Sequence, residues 1–450
     1  MAIRPPFRTK LIYALGQLGW SLGSFGVLFQ VAYFYLPPET GAQDFPTFIY
    51  QGPFLGFLTI IGLILFGGRV FDAITDPIIA NYSDKSNSRL GKRKQLLAIA
   101  IVPFCVFGFL AFYPLSDTDT ILNSIWLIAV VFLFYLSFSL YVVPYNALIS
   151  ELGHHPDDRM AISTMLSVAW AVGHSIGFSV FFMKDQLQSF LEPTQAFQLG
   201  LGILLVIAFI FMLIPILFLD EHKYALQTSS EFSLLKSMKK VWANKNFRIF
   251  TYADLTYWLS VTIIQMGIIY YVTVLLKLDE GITSVFLPIA MLLSFCFYYP
   301  INLMVKKYGK KKILRLGFII FALTFLLALD LGKNPLSSTA QLGILAVLSA
   351  FPMAVFGIIP NAIIADLVNT HGKLHGDNQA GMYFGVRTFM MKLGTSLGIL
   401  VFTSLLLLGK SVENDFGIRM TGFAALIFCI IGLLLFSKFK DLHEFDDSEK

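Results

Sequence analysis

Apolar runs of 18 or more residues recur along this chain of 450 residues and constrain its fold more than any other feature. Mean hydropathy is +0.72 and 14% of the residues are charged, values outside the range of soluble domains. Because about 20 apolar residues cross the hydrocarbon layer of a bilayer, each run predicts a membrane-spanning helix. The sequence predicts twelve such helices, at about 11–36, 50–80, 95–115, 122–150, 160–184, 196–219, 248–277, 283–305, 313–331, 340–367, 378–408 and 417–438.

The distribution of Lys and Arg between the loops predicts the orientation. Basic residues cluster at 4–10, 89–94 and 306–312, whereas the opposite loops 37–49 and 115–121 contain none. With an even number of helices, the positive-inside rule then predicts that both termini are cytoplasmic. We expect the membrane to be a bacterial inner (plasma) membrane. This clustering also accounts for the net charge of +5, and it argues against a surface that binds nucleic acid.

Three pairs of similar motifs indicate an internal repeat. The motifs of each pair lie about 215–221 residues apart, and all three pairs keep the same order. They are RLGKRK (89–94) with KYGKKK (307–312), PYNALISEL (144–152) with PNAIIADL (360–367), and GHSIGF (173–178) with GTSLGI (394–399). The sequence therefore predicts two six-helix bundles, 1–219 and 248–450, which a cytoplasmic linker at 220–247 joins. Parallel repeats of this kind usually enclose a binding site near the bilayer midplane.

Two aspartates in the second predicted helix are the most informative charged residues. Asp72 and Asp76 are four residues apart, so both carboxylates project from one face of the helix, and Arg69 lies near the same face. A purely structural explanation of these charges is an ion pair between Arg69 and Asp72, but it does not explain the carboxylate of Asp76. Two carboxylates suit a hard monovalent cation, which takes oxygen ligands, and they equally suit one shared proton. The identity of the ion, a monovalent cation or a proton, stays open.

A lysine in the eleventh predicted helix is the second informative charge. Lys392 lies about fourteen residues, or about 20 Å, beyond the start of its helix, which is too deep for easy snorkelling to the surface. We therefore expect Lys392 to face the polar interior and the carboxylates of Asp72 and Asp76. The alternative is a lysine that only holds two helices together.

At this level of detail the sequence resembles a known family. The stretches GRVFDAITDPIIANYSDKSNSRLGKRK, VPYNALISEL and GMYFGVRTFMMKLG resemble the glycoside–pentoside–hexuronide:cation symporters of the major facilitator superfamily. The resemblance implies an all-α major facilitator fold, alternating access, and substrate uptake coupled to Na+, H+ or Li+. It also assigns residues: a cation site at Asp72, Asp76, Thr75 and Ser139, and coupling residues Lys392, Thr388 and Arg69.

The sequence departs from the family at the sugar site. The resemblance implies an acid on helix 1, an acid on helix 4 and an arginine on helix 5, but the matching positions hold Ser21, Val142 and Ser167. The residues of the cation site are thus present, whereas the charged residues that contact galactosides are absent. We therefore expect no appreciable transport of melibiose or lactose.

Other polar and aromatic residues in the predicted helices are candidates for contacts with the substrate. A sugar needs several hydrogen-bonding partners, because a hydroxyl desolvated without one costs about 1–3 kcal/mol. The candidates are Asn146, Trp170, Asp254, Trp258, Gln265 and Asn361. A family-typical sugar or glycoside is the first hypothesis for the substrate, and an amphipathic lipid such as a lysophospholipid is the alternative.

An enzyme is the competing class of function. A membrane-embedded lipid enzyme needs a nucleophile–base pair or a metal cluster, and the sequence shows neither pattern. We therefore expect a transporter with no cofactor and no metal beyond Na+ at Asp72 and Asp76. We also expect it to act as a monomer within the lipid bilayer.

Overall fold

The computed structural model describes residues 4–40, 45–86, 88–153, 156–225, 241–375 and 380–440, and these residues are predominantly helical. Phe54 and Leu58 form an isolated β-bridge. The α-helices are α1 Phe7–Leu28, α2 Gln30–Tyr35, α3 Ile60–Lys85, α4 Lys94–Leu110, α5 Ile121–Leu152, α6 Pro156–Gly177, α7 Val180–Leu187, α8 Pro193–Phe218, α9 Glu221–Tyr224, α10 Lys245–Tyr270, α11 Thr283–Tyr308, α12 Lys310–Asp330, α13 Ser338–His375, α14 Ala380–Leu405 and α15 Phe416–Ser437.

Ten helical spans of the described chain are long and apolar enough to cross a membrane. Helix α4 is also apolar but has 17 residues, and α3 has 26 residues with several charges in its second half. The prediction of an all-helical membrane protein is therefore confirmed, while the count of twelve membrane-spanning helices stays a prediction.

The first two predicted helices differ from the observed ones in their bounds. The first begins at Phe7 and is divided at Phe29 into α1 and α2. The second, predicted from residue 50, begins only at Ile60, because a turn with positive φ at Leu55 and Gly56 precedes it. The side chain of Thr59 then caps α3 by accepting a hydrogen bond from the backbone N–H of Gly62 at 3.1 Å.

The chain forms two compact units. Unit 1 comprises Met1–Ser230 together with Asp279–Pro288, and unit 2 comprises Glu231–Leu278 together with Ile289–Lys450. The bundle boundaries at 219 and 248 stay a prediction, since the short segment Asp279–Pro288 packs with unit 1.

Small residues allow the helices to approach closely inside each unit. In unit 1, α1 packs against α6 and α8, and a Cβ atom at Gly19 would lie 2.6 Å from the backbone nitrogen of Met212. In unit 2, α10 packs against α14, and a Cβ atom at Gly394 would lie 2.7 Å from the carbonyl oxygen of Leu255. Such contacts at small residues are typical of helix packing in membranes.

Candidate functional site

The candidate cation site lies between α3 and α5 of unit 1. The carboxylate of Asp72 is fully buried, and that of Asp76 is half-buried one turn further along α3. The hydroxyl of Ser139, from α5, lies within hydrogen-bond distance of both: it contacts Asp72 Oδ1 and lies 2.9 Å from Asp76 Oδ1. Three of the four residues predicted for the cation site, Asp72, Asp76 and Ser139, are thus brought together.

The single hydrogen of the Ser139 hydroxyl limits how it can contact the two carboxylates. A serine hydroxyl carries one hydrogen, so it can donate to only one of the two carboxylates at a time. If both carboxylates were ionised, the contact between Ser139 and the second carboxylate would have no hydrogen, and two negative charges would lie close together. A proton on one carboxyl group, or a small cation between the oxygens, resolves both problems.

The guanidinium of Arg69 balances one of the carboxylates. Arg69 Nη1 lies 3.1 Å from Asp72 Oδ2, and the guanidinium carbon lies 5.8 Å from the centre of the Tyr135 ring. Asp72 therefore has its two oxygens on different partners, Arg69 and Ser139. Arg69 thus places one formal positive charge beside two formally negative carboxylates.

A glycine explains how α3 and α5 bring these side chains together. A Cβ atom at Gly68 would lie 2.7 Å from the ring of Tyr135 and 2.9 Å from the side chain of Val131. The absence of a side chain there lets α3 approach α5 directly beside Asp72 and Ser139. The predicted ligand Thr75 is buried as well, but its hydroxyl donates to the backbone carbonyl of Asp72 at 3.1 Å.

A second polar cluster lies in unit 2 and joins α10, α13 and α14. Arg387 Nε donates to Asp254 Oδ2 at 2.9 Å, and Arg387 Nη1 donates to Asn361 Oδ1 at 2.7 Å. Asp254 is 3% exposed, whereas Asn361 lies on the exposed side of the cluster. Two of the predicted substrate residues are therefore adjacent, and Arg387, which the sequence analysis missed, connects them.

Two more predicted residues share the face of α10 that carries Asp254. Trp258 and Gln265 follow Asp254 by four and eleven residues, which is helical spacing. The buried indole N–H of Trp258 has no hydrogen-bond partner among the described residues. An indole N–H can only donate a hydrogen bond, so the N–H of Trp258 can donate to an oxygen atom of a bound solute.

The remaining predicted residues lie on α5 and α6 of unit 1 and on α14 of unit 2. In unit 1, Asn146 is exposed on α5, and Trp170 on α6 packs against Phe25 with ring centres 5.6 Å apart. In unit 2, Lys392 is 8% exposed, and the hydroxyl of Thr388 donates to the carbonyl of Phe384 at 3.0 Å. The pairing of Lys392 with the aspartates of unit 1 stays a prediction.

A buried ion cluster beside α4 was also missed, because its sequence motif was interpreted only as a topology signal. Arg93 contacts Glu151 at 2.7 Å and Asp84 at 2.5 Å, and both carboxylate oxygens of Glu221 accept hydrogen bonds from backbone N–H groups at the start of α4. Burial acts to lower the pKa of Arg93, but its hydrogen bond and attraction to Glu151 and Asp84 outweigh this, so the pKa lies above its ordinary value. The cluster ties α4, α5 and α9 together.

Solved structures with a similar backbone show which fold the chain adopts. The nucleoside transporter NupG superposes with a TM-score of 0.68 at 16% identity, covering 96% of this chain and 98% of its own. A D-xylose-proton symporter superposes with a TM-score of 0.68 at 13% identity, covering 97% of this chain and 98% of its own. The fold is that of the major facilitator transporters, which confirms the predicted fold class.

Sequence comparison then identifies the family. A model of the MFS/sugar transport protein family matches residues 57–436, and the chain belongs to this family. The resemblance stated from the sequence motifs is confirmed, and the protein is a multi-pass membrane transporter rather than an enzyme.

Individual relatives differ in what they are named for. The chain is 23% identical to the glucuronide carrier protein homolog of Escherichia coli, over 99% of this chain and 96% of the relative. It is 23% identical to a putative sulfoquinovose importer of Escherichia coli, over 88% and 81% of the two chains. It is 24% identical to the mouse sodium-dependent lysophosphatidylcholine symporter 1, over 83% and 77%. Relatives of similar identity are thus named for sugar acids and for a lipid.

Proposed function

We propose that this protein is a secondary active symporter that couples the uptake of a small organic solute to one Na+ or H+ by alternating access. The observation that carries the proposal is the position of the Ser139 hydroxyl between the carboxylates of Asp72 and Asp76. A passive transporter does not need two carboxylates that contact the same buried hydroxyl. A carboxylate at mid-membrane depth costs about 2.5–3.5 kcal/mol on insertion scales, so the pair requires a function that offsets this cost.

The oxygen atoms at this site suit either coupling ion. Na+ would take its ligands from the carboxylates and the serine hydroxyl, since hard cations prefer oxygen. A proton would reside on one carboxyl group, which could then donate to Ser139 while Ser139 donates to the other. Arg69 compensates the second carboxylate in both cases.

Uptake into proteoliposomes tests the coupling. We expect Asp72→Asn and Asp76→Asn to abolish substrate accumulation that is driven by a Na+ or pH gradient. Exchange of substrate between the two sides of the membrane should survive when the ion concentrations on both sides are equal. Asp366→Asn is the matched control, because Asp366 pairs with Lys310 at a half-exposed position where an ion pair is worth about 1 kcal/mol or less. Wild-type accumulation by either of the first two variants would exclude the cation site.

For the substrate we propose a sugar or glycoside, as is typical of the family, with an acidic sugar as the first candidate. The support is the array of Asp254, Arg387 and Asn361, with the indole N–H of Trp258 one turn away, which offers both donors and acceptors to hydroxyl groups. Several relatives are named for glucuronide, sulfoquinovose or glycosides. We assign Asn146, Trp170 and Gln265 to the same substrate path.

The alternative substrate is a lysophospholipid, since relatives in frog and mouse are named for lysophosphatidylcholine. A panel of glucuronides, neutral glycosides, galactosides and lysophosphatidylcholine, each with and without the ion gradient, separates the two classes. We expect gradient-dependent uptake of a sugar acid and none of melibiose or lactose. Gradient-driven uptake of the lysolipid alone would replace the sugar proposal and leave the coupling proposal intact.

The membrane arrangement forms part of the proposal. We place both termini in the cytoplasm of a bacterial inner membrane, because the basic clusters at 4–10, 89–94 and 306–312 lie on one side of the predicted topology. Residues 1–219 and 248–450 would act as the two moving bundles of a monomer, with 220–247 as linker. Proteolysis of right-side-out and inside-out vesicles carrying a terminal tag tests this orientation.

A further inference from the structure

An apolar groove lies between α4 and α8 on the surface of unit 1. Its volume is about 670 Å³, and its walls include Val106, Phe109, Leu199, Gly202 and Val206. Gly202 keeps it open, since a Cβ atom there would already lie 3.1 Å from the ring of Phe109. The groove belongs to neither the acid pair nor the cluster around Arg387.

The groove opens towards the lipid. Val106 and Val206, one on each wall, are 45% and 60% exposed. Exposed apolar residues continue from the groove along both helices, at Val102 on α4 and Ile210 on α8. In a membrane protein such a surface is covered by acyl chains, so the occupant of the groove comes from the bilayer.

The length of the groove is comparable with the thickness of one leaflet. Its lining extends from Cys105 to Tyr113 on the α4 side, about 12 Å, and from Gln195 to Phe209 on α8, about 21 Å. Half of the hydrocarbon thickness of a bilayer is about 15 Å. Tyr113 and Gln195 place polar atoms at the end of the groove where α4 has ended and α8 begins, and Cys105 lies near its deeper end.

The charge around the polar end selects the kind of headgroup. Neither 95–121 nor 185–219 contains a Lys or Arg, whereas Asp117, Asp119 and Glu192 lie in the segments that flank this end. Glu192 directly precedes α8 and follows Leu191, which lines the groove. An acidic rim repels an anionic headgroup and attracts an ammonium group.

We propose that this groove binds one acyl chain of a zwitterionic phospholipid of the phosphatidylethanolamine type, with its ammonium group beside Glu192. The chain fills the space between Phe109, Gly202 and Val206, and the ester region of the lipid reaches Tyr113 and Gln195. The lipid is a bound component of the transporter at a site distinct from the substrate path.

Native mass spectrometry of the full-length protein tests the site, after reconstitution in nanodiscs of equal parts phosphatidylethanolamine and phosphatidylglycerol and transfer to mild detergent. Gly202→Leu and Val206→Phe fill the groove, while Ile203→Phe adds the same bulk to a neighbouring residue of α8 that does not line it. In lipid or detergent the chain gains van der Waals contacts in the groove rather than transfer out of water, so a side chain that fills the groove removes those contacts. We expect one retained phosphatidylethanolamine on the wild type and on Ile203→Phe, and a loss of most of it on both filled variants.

A charge variant tests the headgroup. Glu192→Gln should reduce the preference for phosphatidylethanolamine over phosphatidylglycerol and leave the total retained lipid unchanged. Equal retention by the filled variants and the wild type overturns the site, as does a wild type that retains no lipid. Preferential retention of phosphatidylglycerol overturns the ethanolamine assignment. Leu199→Phe, at the exposed rim, replaces either filled variant that fails to purify as a single species.

Discussion

Removal of the Arg387 guanidinium should lower the stability of unit 2 by more than the loss of an exposed ion pair does. In Arg387→Gln the carboxylate of Asp254, which is 3% exposed, loses the donor at 2.9 Å and a weaker one at 3.4 Å. Breaking one side of a buried ion pair costs about 3–5 kcal/mol, because an uncompensated charge stays in a medium of low dielectric constant. We expect a loss of that size in the free energy of unfolding.

A double-mutant cycle isolates the charge effect. The variant that combines Arg387→Gln with Asp254→Asn removes both charges, so most of the lost stability should return. Lys310→Gln is the matched control, since it breaks a pair whose side chains are 34% and 41% exposed and should cost less than about 1 kcal/mol. Denaturant unfolding of the purified protein in detergent, followed by tryptophan fluorescence, measures four variants: Arg387→Gln, Asp254→Asn, the double variant and Lys310→Gln.

Two results would refute this reasoning. Arg387→Gln could prove no more destabilising than Lys310→Gln, which would mean that Asp254 is hydrated or neutral. The double variant could also remain as unstable as the single one, which would assign the loss to packing of the arginine stem.

Asn361→Ala separates stability from transport. Because Asn361 is exposed, we expect an unchanged free energy of unfolding and a raised KM for the substrate.

Three further predictions rest on other parts of the chain. Gly68→Ala should cost about 1–3 kcal/mol and weaken ion dependence, because its Cβ atom would meet the Tyr135 ring at 2.7 Å; thermal unfolding and ion titration of uptake check it. Arg93→Ala should destabilise by about 3–5 kcal/mol through the buried carboxylate of Glu151, and Arg93→Lys should recover only part of this in the same unfolding assay. Lys392→Ala should weaken the link between ion gradient and uptake more than it weakens substrate affinity, and a destabilised but fully coupled variant would contradict that role.

Local patterns in the sequence were sufficient to predict an all-helical membrane protein and the shared face of Asp72 and Asp76. Asp72 and Asp76 share a face because their spacing is one helical turn, and Arg69 reaches Asp72 for the same reason. The turn at Leu55 and Gly56 was not predicted, since the apolar residues around it continue the hydropathy of the helix.

Contacts between distant segments needed the structure. Arg387 lies 133 residues from Asp254, and no periodicity connects two positions at that separation. The motif that contains Arg93 was interpreted as a signal of orientation, because basic residues near a helix end serve that role whatever they contact. Its packing against Glu151 and Glu221 became evident only when α5 and α9 were placed beside α4.

The balance of charges at the acid pair bears on how many ions move with each substrate. In the ion-loaded state, in which we expect the cation to displace the ammonium of Lys392, the guanidinium of Arg69 and the carboxylates of Asp72 and Asp76 together carry a formal charge of −1. A second monovalent cation would make the buried site positive, and positive charge in this environment is as costly as negative charge. One ion per substrate molecule is therefore the expected stoichiometry. The reversal potential of substrate uptake in proteoliposomes, measured at several ion gradients, gives this number directly, and a value of two would require another carboxylate to join the site.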